Sequence, residues 1–253
     1  MTFQSLFVTG TDTGVGKTTV ACGIAAALRQ SGCTVGVFKP SETGCRPGSD
    51  GQLQPNDALR LRFFAGSDLD LRTICPYPLR EPLAPLLAAQ RDGVRIDVDE
   101  ICRIYGSIAA AHDLTLIEGA GGLLVPLAPG VTFADVAARL DAPLLVVVGS
   151  RLGAINHALL SVRYAQSMGL RVLGYVVNFL KPNPDLAERT NVKVLSDWLG
   201  PPLGVIDYLA DLSMTAASRQ RLAEHFTAHL RLDSLRLPPL RAPRHDGNSH
   251  QPY

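Results

Sequence analysis

Ser5-Leu6-Phe7-Val8-Thr9-Gly10-Thr11-Asp12-Thr13-Gly14-Val15-Gly16-Lys17-Thr18-Thr19 is the stretch on which the fold turns. Ser5–Thr9 reads as a short strand, and Lys17–Ser31 as a helix. A glycine-rich turn between a strand and a helix is the setting of a phosphate loop. Its glycines let backbone N–H groups point inward at phosphate oxygens, and the helix N-terminus adds partial positive charge. Lys17 is expected to bridge the outer phosphates and the Thr18 hydroxyl to meet Mg²⁺. The usual spacing places a glycine four residues before Gly-Lys-Ser/Thr, whereas here Gly10 lies one residue earlier and Thr11 takes that place. The bland alternative is a glycine-rich turn with a solvated lysine. Gly16-Lys17-Thr18 between those flanks argues against it.

Outward from this loop, short and nearly all-apolar runs recur at Thr34–Phe38, Leu114–Ile117, Leu144–Val148 and Arg171–Val177. Helical patterns separate them at Val98–Ala111, Phe133–Leu140, Asn156–Met168 and Asp185–Leu199. Continuous apolar strands alternating with helices mean a parallel sheet covered on both faces. The expectation is one doubly wound α/β domain over residues 1–236, with a mostly parallel sheet of P-loop type. Residues 40–56 read as a long functional loop, and the four prolines of residues 76–85 as extended or turning chain. Leu237–Tyr253 reads as a disordered tail.

Composition narrows the function. Of 253 residues, 46% are apolar and 19% charged, an ordinary globular balance. Twenty-four Lys and Arg against 23 Asp and Glu give a net charge of +1, too little for a nucleic-acid or anionic-membrane partner. Five cysteines, none in a CxxC pair, fit reduced thiols in a cytoplasmic protein. Met1–Gly10 has no signal-peptide pattern, and the apolar run Pro143–Val148 is too short to span a bilayer.

Two further motifs carry chemistry. Glu118-Gly119-Ala120-Gly121-Gly122 follows the strand Leu114–Ile117, so Glu118 stands at a strand's C-terminal end, where such sheets bind ligands. It supplies a hard oxygen for Mg²⁺ beside Thr18. Its plain alternative is a capping or solvated acid. Phe38-Lys39-Pro40-Ser41-Glu42-Thr43-Gly44 ends the second strand and sets Lys39 near the phosphates, the alternative being a solvated lysine. Asp57 stands at the start of a helix, where an N-cap is the competing reading.

In this order the pieces resemble the dethiobiotin synthetase family. The resemblance rests on Gly10-Thr11-Asp12-Thr13, Gly16-Lys17-Thr18, Lys39-Pro40, Thr43-Gly44, Asn56-Asp57-Ala58, Pro76-Tyr77 and Glu81-Pro82. It continues through Glu118-Gly119-Ala120-Gly121-Gly122, Leu152-Gly153, Asn156-His157-Ala158 and Asn178, over residues 5–210. Threonine in place of the expected glycine is the family's own form.

What the resemblance implies is an ATP-dependent cyclo-ligase of biotin synthesis acting on 7,8-diaminononanoate and CO₂. One amine forms a carbamate, the carbamate oxygen attacks the γ-phosphate, and the second amine closes the ureido ring and expels phosphate. Lys17 and Lys39 would face the transferred group, with Thr13 and Thr43 at the carbamate or amine end. Thr18, Asp57 and Glu118 would hold Mg²⁺. Gly14, Val15, Gly16, Thr19, Gly119, Ala120 and Gly121 would surround the phosphates. Asn178, Phe179, Asp207, Tyr208 and Leu209 would flank the base. Gly153, Ala154, Ile155 and Asn156 would bind the substrate's distant carboxylate across a homodimer interface.

Asp207 stands where the family usually has Pro. An acceptor-only side chain there takes a bond from adenine, cytosine or guanine, predicting that CTP or GTP is used within ~20-fold of ATP. The competing reading has Asp207 cap the helix that follows. The rival class is a partitioning or septum-site switch ATPase acting through dimerisation. Its loop carries an additional lysine near the first glycine, and residues 10–16 contain none.

Overall fold

A computed structural model describes residues 4–210 and 212–235. In chain order the elements are β1 (Ser5–Gly10), α1 (Lys17–Gln30), β2 (Val35–Phe38), β3 (Ser41–Glu42), β4 (Arg46–Pro47), β5 (Leu53–Gln54), α2 (Asn56–Ala65) and α3 (Leu71–Ile74). There follow β6 (Tyr77–Pro78), α4 (Pro85–Asp92), α5 (Val98–Ala111), β7 (Leu114–Glu118), β8 (Pro126–Ala128), β9 (Val131–Thr132) and α6 (Phe133–Arg139). The chain closes with β10 (Leu144–Ser150), α7 (Ala154–Ser167), β11 (Val172–Phe179), α8 (Leu186–Leu199), β12 (Gly204–Ile206) and α9 (Ala216–His229).

The main sheet has six strands in the order β12-β11-β10-β1-β7-β2, and every neighbouring pair is parallel. Alternation along the strands explains why both faces are apolar. Leu6, Val8, Leu145 and Val147 pack with α1, α2 and α9. Phe7, Ile117 and Leu144 pack with α4, α5 and α6. Val146 and Val148 pack with α7 and α8. Each fully buried side chain of this kind contributes ~1.5–3 kcal/mol. Helix starts are written locally: Thr132 and Asp135 form a capping box on α6, and Asp185 and Glu188 another on α8.

The topology sets where ligands bind. From β1 the chain crosses to the edge strand β2, returns through β7 and passes β1 again to build β10, β11 and β12. The C-terminal ends of β1, β7 and β2 therefore lie side by side at the reversal, the usual ligand crevice of such sheets.

The five strands and five helices bounded from the sequence match β1, β2, β7, β10, β11 and α1, α5, α6, α7, α8 to within two residues at each end; β12, α2, α3, α4 and α9 have no bounds there, and four details differ. Residues 40–56 are not one open loop: β3 pairs with β6, and β4 pairs with β5 as a hairpin. These two-residue ladders are too short to leave a period in sequence. α7 begins at Ala154 rather than Asn156, because Gly153 adopts φ 90° and turns the chain into the helix. Asp57 is not an N-cap, since Pro55 holds that position and Asp57 is the second helical residue. Asp207 caps no helix, because an irregular segment follows β12 and Thr215 caps α9. The expected tail at Leu237–Tyr253 lies outside the described residues. No helix among the described residues is long and apolar enough to cross a membrane.

Candidate active site

A cavity of about 680 Å³ opens at the adjoining strand ends. Thr13, Gly14, Gly16, Lys17 and Thr18 line it from the loop after β1. Lys39, Glu42 and Thr43 come from the chain after β2, and Asp57 from α2. Glu118, Ala120 and Gly121 come from β7 and its following loop, and Pro82 and Pro85 close one side. Residues more than a hundred positions apart, such as Thr13 and Gly121, meet here because three parallel strands end together.

The phosphate loop turns at Gly16, whose φ of 90° and ψ of 28° make it the N-cap of α1. No side chain caps this end and no acid stands in the first turn, so its N–H groups remain directed at the cavity. Lys17 is buried and its Nζ donates to the Asp12 carbonyl at 3.2 Å. Burial, opposed by Glu118 and reinforced by the charge of Lys39, lowers its pKa to about 8. Val15 packs into the core, and its carbonyl accepts from Asn178 Nδ2 at 3.0 Å. The amide of Asn178 thus braces the loop from behind.

Behind the loop lies a buried charge cluster. Lys39 Nζ donates to Glu118 Oε1 at 2.6 Å and to Asp57 Oδ2 at 2.9 Å. Thr18 Oγ1 donates to the same Glu118 oxygen at 2.8 Å. Lys39 is 2% and Glu118 1% exposed, so neither is a solvated strand-end residue. Burial works against the Lys39 ammonium, but the carboxylates of Glu118 and Asp57 outweigh it and raise its pKa. Burial raises the Glu118 carboxyl. For Asp57 the burial effect is overcome by Lys39, and its pKa falls. Glu118 Oε2 is buried without a hydrogen-bond partner. A carboxylate with one orphaned oxygen, together with the Thr18 hydroxyl and the Asp57 carboxylate lining the same cavity, is a donor set that suits a hard divalent cation.

Glu42 was quoted within its motif but given no role by sequence. Its carboxylate accepts from the backbone N–H of Asp57 at 2.9 Å and of Ala58 at 3.1 Å. Burial, with the nearby charge of Asp57, pushes its carboxyl up to about 7. A second unassigned contact is the ion pair of Arg151 with Asp12, which ties the loop after β10 to the phosphate loop. Neither partner could be matched from sequence: Glu42 and Asp57 lie 15 positions apart on β3 and α2, and Arg151 and Asp12 lie 139 apart in loops after different strands.

The remaining candidates lie outside the cavity. Gly153, Ala154, Ile155 and Asn156 start α7 at the end of β10. Asn178 and Phe179 end β11, with Asn178 in register with Ile206, so Asp207, Tyr208 and Leu209 continue from the adjacent strand end. Asp207 and Tyr208 are exposed. Thr19 follows Thr18 in the first turn of α1, and Gly119 follows Glu118, its N–H donating to the Val8 carbonyl at 3.1 Å.

The AAA domain family matches residues 4–216. An ATP-dependent dethiobiotin synthetase of Bacillus licheniformis is 39% identical over 213 residues, covering 84% of this chain and 89% of that one. Another, of Anaeromyxobacter sp. (strain K), is 43% identical over 216 residues, covering 85% and 95%. Among solved structures, the MinC:MinD cell division protein complex of Aquifex aeolicus aligns with TM-score 0.53 at 16% identity over 95% of this chain and 100% of that one. A ParA family ATPase of Chlorobium tepidum aligns with TM-score 0.52 at 15% identity over 90% and 92%. At that identity the structural likeness speaks for a P-loop fold alone. The family match spans the phosphate loop, Lys39 and Glu118, and on its likeness to these relatives this chain belongs to the ATP-dependent dethiobiotin synthetase family.

Proposed function

We propose that this protein closes the ureido ring of dethiobiotin from 7,8-diaminononanoate and CO₂, driven by cleavage of ATP to ADP and phosphate. The observation that carries the reading is Lys39, buried between Glu118 and Asp57 beside Lys17 in a cavity behind the phosphate loop. Phosphoryl transfer needs positioning and neutralisation of spreading charge more than covalent chemistry. Two buried ammonium groups, those of Lys17 and Lys39, supply that without reorganising at the moment of reaction.

The N–H groups of Gly14, Gly16 and the first turn of α1 hold the phosphates, and Lys17 and Lys39 neutralise the transferred group. The carbamate formed from one substrate amine and CO₂ lies within reach of the Thr13 and Thr43 hydroxyls. Its oxygen attacks the γ-phosphorus, giving a carbamic–phosphoric anhydride and ADP. The second amine attacks the anhydride carbon and phosphate leaves with the ring closed.

Thr18, Asp57 and Glu118 would hold Mg²⁺. Among the described residues no group of three or more His, Cys, Asp or Glu is placed to hold a metal. Two carboxylates and a hydroxyl suit Mg²⁺, which takes its other ligands from phosphates and water. When bound, the ion neutralises charge on the outer phosphates.

The substrate's distant carboxylate is assigned to Gly153–Asn156 of a second copy. The exposed Leu152 and Leu160 beside that turn are the apolar surface such a copy would cover. A cytoplasmic location belongs to the same reading, which five reduced thiols suit.

Phosphate release measured with and without diaminononanoate and bicarbonate tests the reading: release should require both. Nucleotide hydrolysis indifferent to either would overturn it. The same assay with ATP, CTP and GTP tests the base site. The exposed Asp207 beside Asn178 favours values of kcat/KM within ~20-fold. ATP ahead by more than ~1,000-fold would remove Asp207 from base recognition. Sedimentation should give a dimer, and a fully active monomer would defeat the shared substrate site.

A further inference from the structure

Among the titratable side chains lining the cavity, Glu42 is left without a task by the reaction above. It is 7% exposed, and among the described residues no cation lies within 4.0 Å of its carboxylate. Its two oxygens instead accept from consecutive backbone N–H groups at the start of α2, those of Asp57 and Ala58. These are the donors that an N-cap side chain would serve. The N-cap itself is Pro55, which offers no side-chain acceptor. A Ser or Asp at position 55 would satisfy α2 locally. The chain instead uses a buried acid from another element and sets it beside the Asp57 carboxylate, an arrangement unfavourable for both charges.

The gain is geometric. Lys39 and Glu42 are three residues apart, and they hold opposite ends of Asp57. Lys39 Nζ binds the Asp57 side chain at 2.9 Å, and Glu42 binds its backbone N–H at 2.9 Å. β3 is itself fixed, because Ser41 and Glu42 pair with Tyr77 and Pro78 and the Glu42 carbonyl accepts from Leu79 N at 2.8 Å. Asp57 therefore has its position set from the same short segment that carries Lys39. We propose that Glu42 is a positioning residue, holding Asp57 in register with Lys39 and acting through Asp57 rather than by touching substrate. The proposal rests on the reading of Asp57 as a site residue. A carboxylate is needed because it alone offers an acceptor to both N–H groups. Glutamine offers one oxygen, and its NH₂ would face the other donor.

The experiment is a double-mutant cycle of Glu42→Ala and Asp57→Asn in the full-length enzyme. It reads kcat, KM for diaminononanoate, Mn²⁺ affinity with ADP bound, and hydrogen exchange of the Asp57 and Ala58 amides. Glu42→Ala should lower kcat and Mn²⁺ affinity by ~10–100-fold, the scale of a lost outer-shell contact, with KM for diaminononanoate unchanged. The two amides should exchange faster. In the Asp57→Asn background the same change should cost less than ~2-fold, because its route of action is already gone. Glu42→Gln should fall between wild type and Ala, and it repeats the cycle if the Ala variant does not fold.

An equal cost in both backgrounds would overturn the proposal by showing direct action. Faster exchange with kcat retained would also overturn it, leaving Glu42 a cap only. If Asp57→Asn is costly while Glu42→Ala is not, this inference alone fails. If Asp57→Asn has no effect, the assignment of Asp57 in the proposed function fails as well.

Discussion

Two helices of this protein begin alike and lead to different chemistry. α1 follows β1 and α7 follows β10, the strand beside it. Each has a glycine N-cap at φ 90°, no side-chain cap and no acid in its first turn. Each therefore presents backbone N–H groups and the positive end of a helix dipole at the same edge of the sheet, although at α7 the first of them, Ala154 N–H, donates to the Arg151 carbonyl at 3.1 Å. Around α1 the buried ions Lys17, Lys39 and Glu118 crowd the helix start. Around α7 the neighbour is Leu152, 88% exposed. The shared backbone device is enough to bind an anion. In the proposed reaction it is the desolvated charges beside α1 that turn binding into phosphoryl transfer, because charge–charge interactions strengthen where water is excluded. The ion pair of Arg151 with Asp12 joins the two starts, so the sites are not independent.

The comparison breaks most visibly at Lys39. Lys39→Ala should lower turnover by at least ~100-fold, with nucleotide affinity changing much less. It also leaves Glu118 buried without its cation, at a cost of ~3–5 kcal/mol in unfolding free energy. Steady-state kinetics and denaturant titration check both, and wild-type turnover would put the chemistry elsewhere. Next is Glu118→Gln, which keeps the shape and removes the charge. It should raise the Mg²⁺ concentration for half-maximal activity by ~10-fold or more, and an unchanged titration would take Glu118 out of the metal site.

Matched alanines at the two glycines sharpen the contrast. Gly16→Ala and Gly153→Ala impose the same left-handed strain, ~1–2 kcal/mol each. At Gly16 the new Cβ also comes within 2.1 Å of Asn178 Nδ2, whereas at Gly153 it meets open space. Nucleotide affinity should fall by ~10-fold or more in the first variant. Only KM for diaminononanoate should rise in the second, by ~3–10-fold for a strained anion seat. Calorimetric titration with ADP separates them.

The smallest effect lies on the opposite face of α1, where α9 packs. Burial lowers the His225 pKa, the charge of the neighbouring His229 adds to this, and Asp207 opposes it. Its folded pKa therefore lies below its unfolded value near 6.5, so the unfolded chain binds more protons in the interval between them. Stability is expected to fall as pH drops through about 6.5, and His225→Gln should flatten that slope. Thermal unfolding between pH 5 and 8 measures it. A slope unchanged in the variant would assign it to another group.

The sequence by itself determined a good part of this protein. The phosphate loop was legible because its glycines, Lys17 and Thr18 are neighbours whose geometry is local. The strands were legible because burial on both faces makes them apolar throughout, and the helices between them because their apolar positions recur at helical spacing. Lys39 and Glu118 could be nominated from their places at strand ends, but as single residues each kept a solvated alternative. Only the tertiary structure removed it. The order β2-β7-β1 sets three strand ends side by side, and that crossing leaves no trace in any local pattern. The two-residue strands at 40–56, the service of Glu42 to α2 and the brace of Asn178 on Val15 were decided the same way. Each depends on partners that no local pattern pairs, whether 15 residues apart, as Glu42 and Asp57, or 163 apart, as Val15 and Asn178. A residue's type tells what it can bond, whereas what it does bond, and whether water competes, is fixed when the sheet closes and the helices cover it.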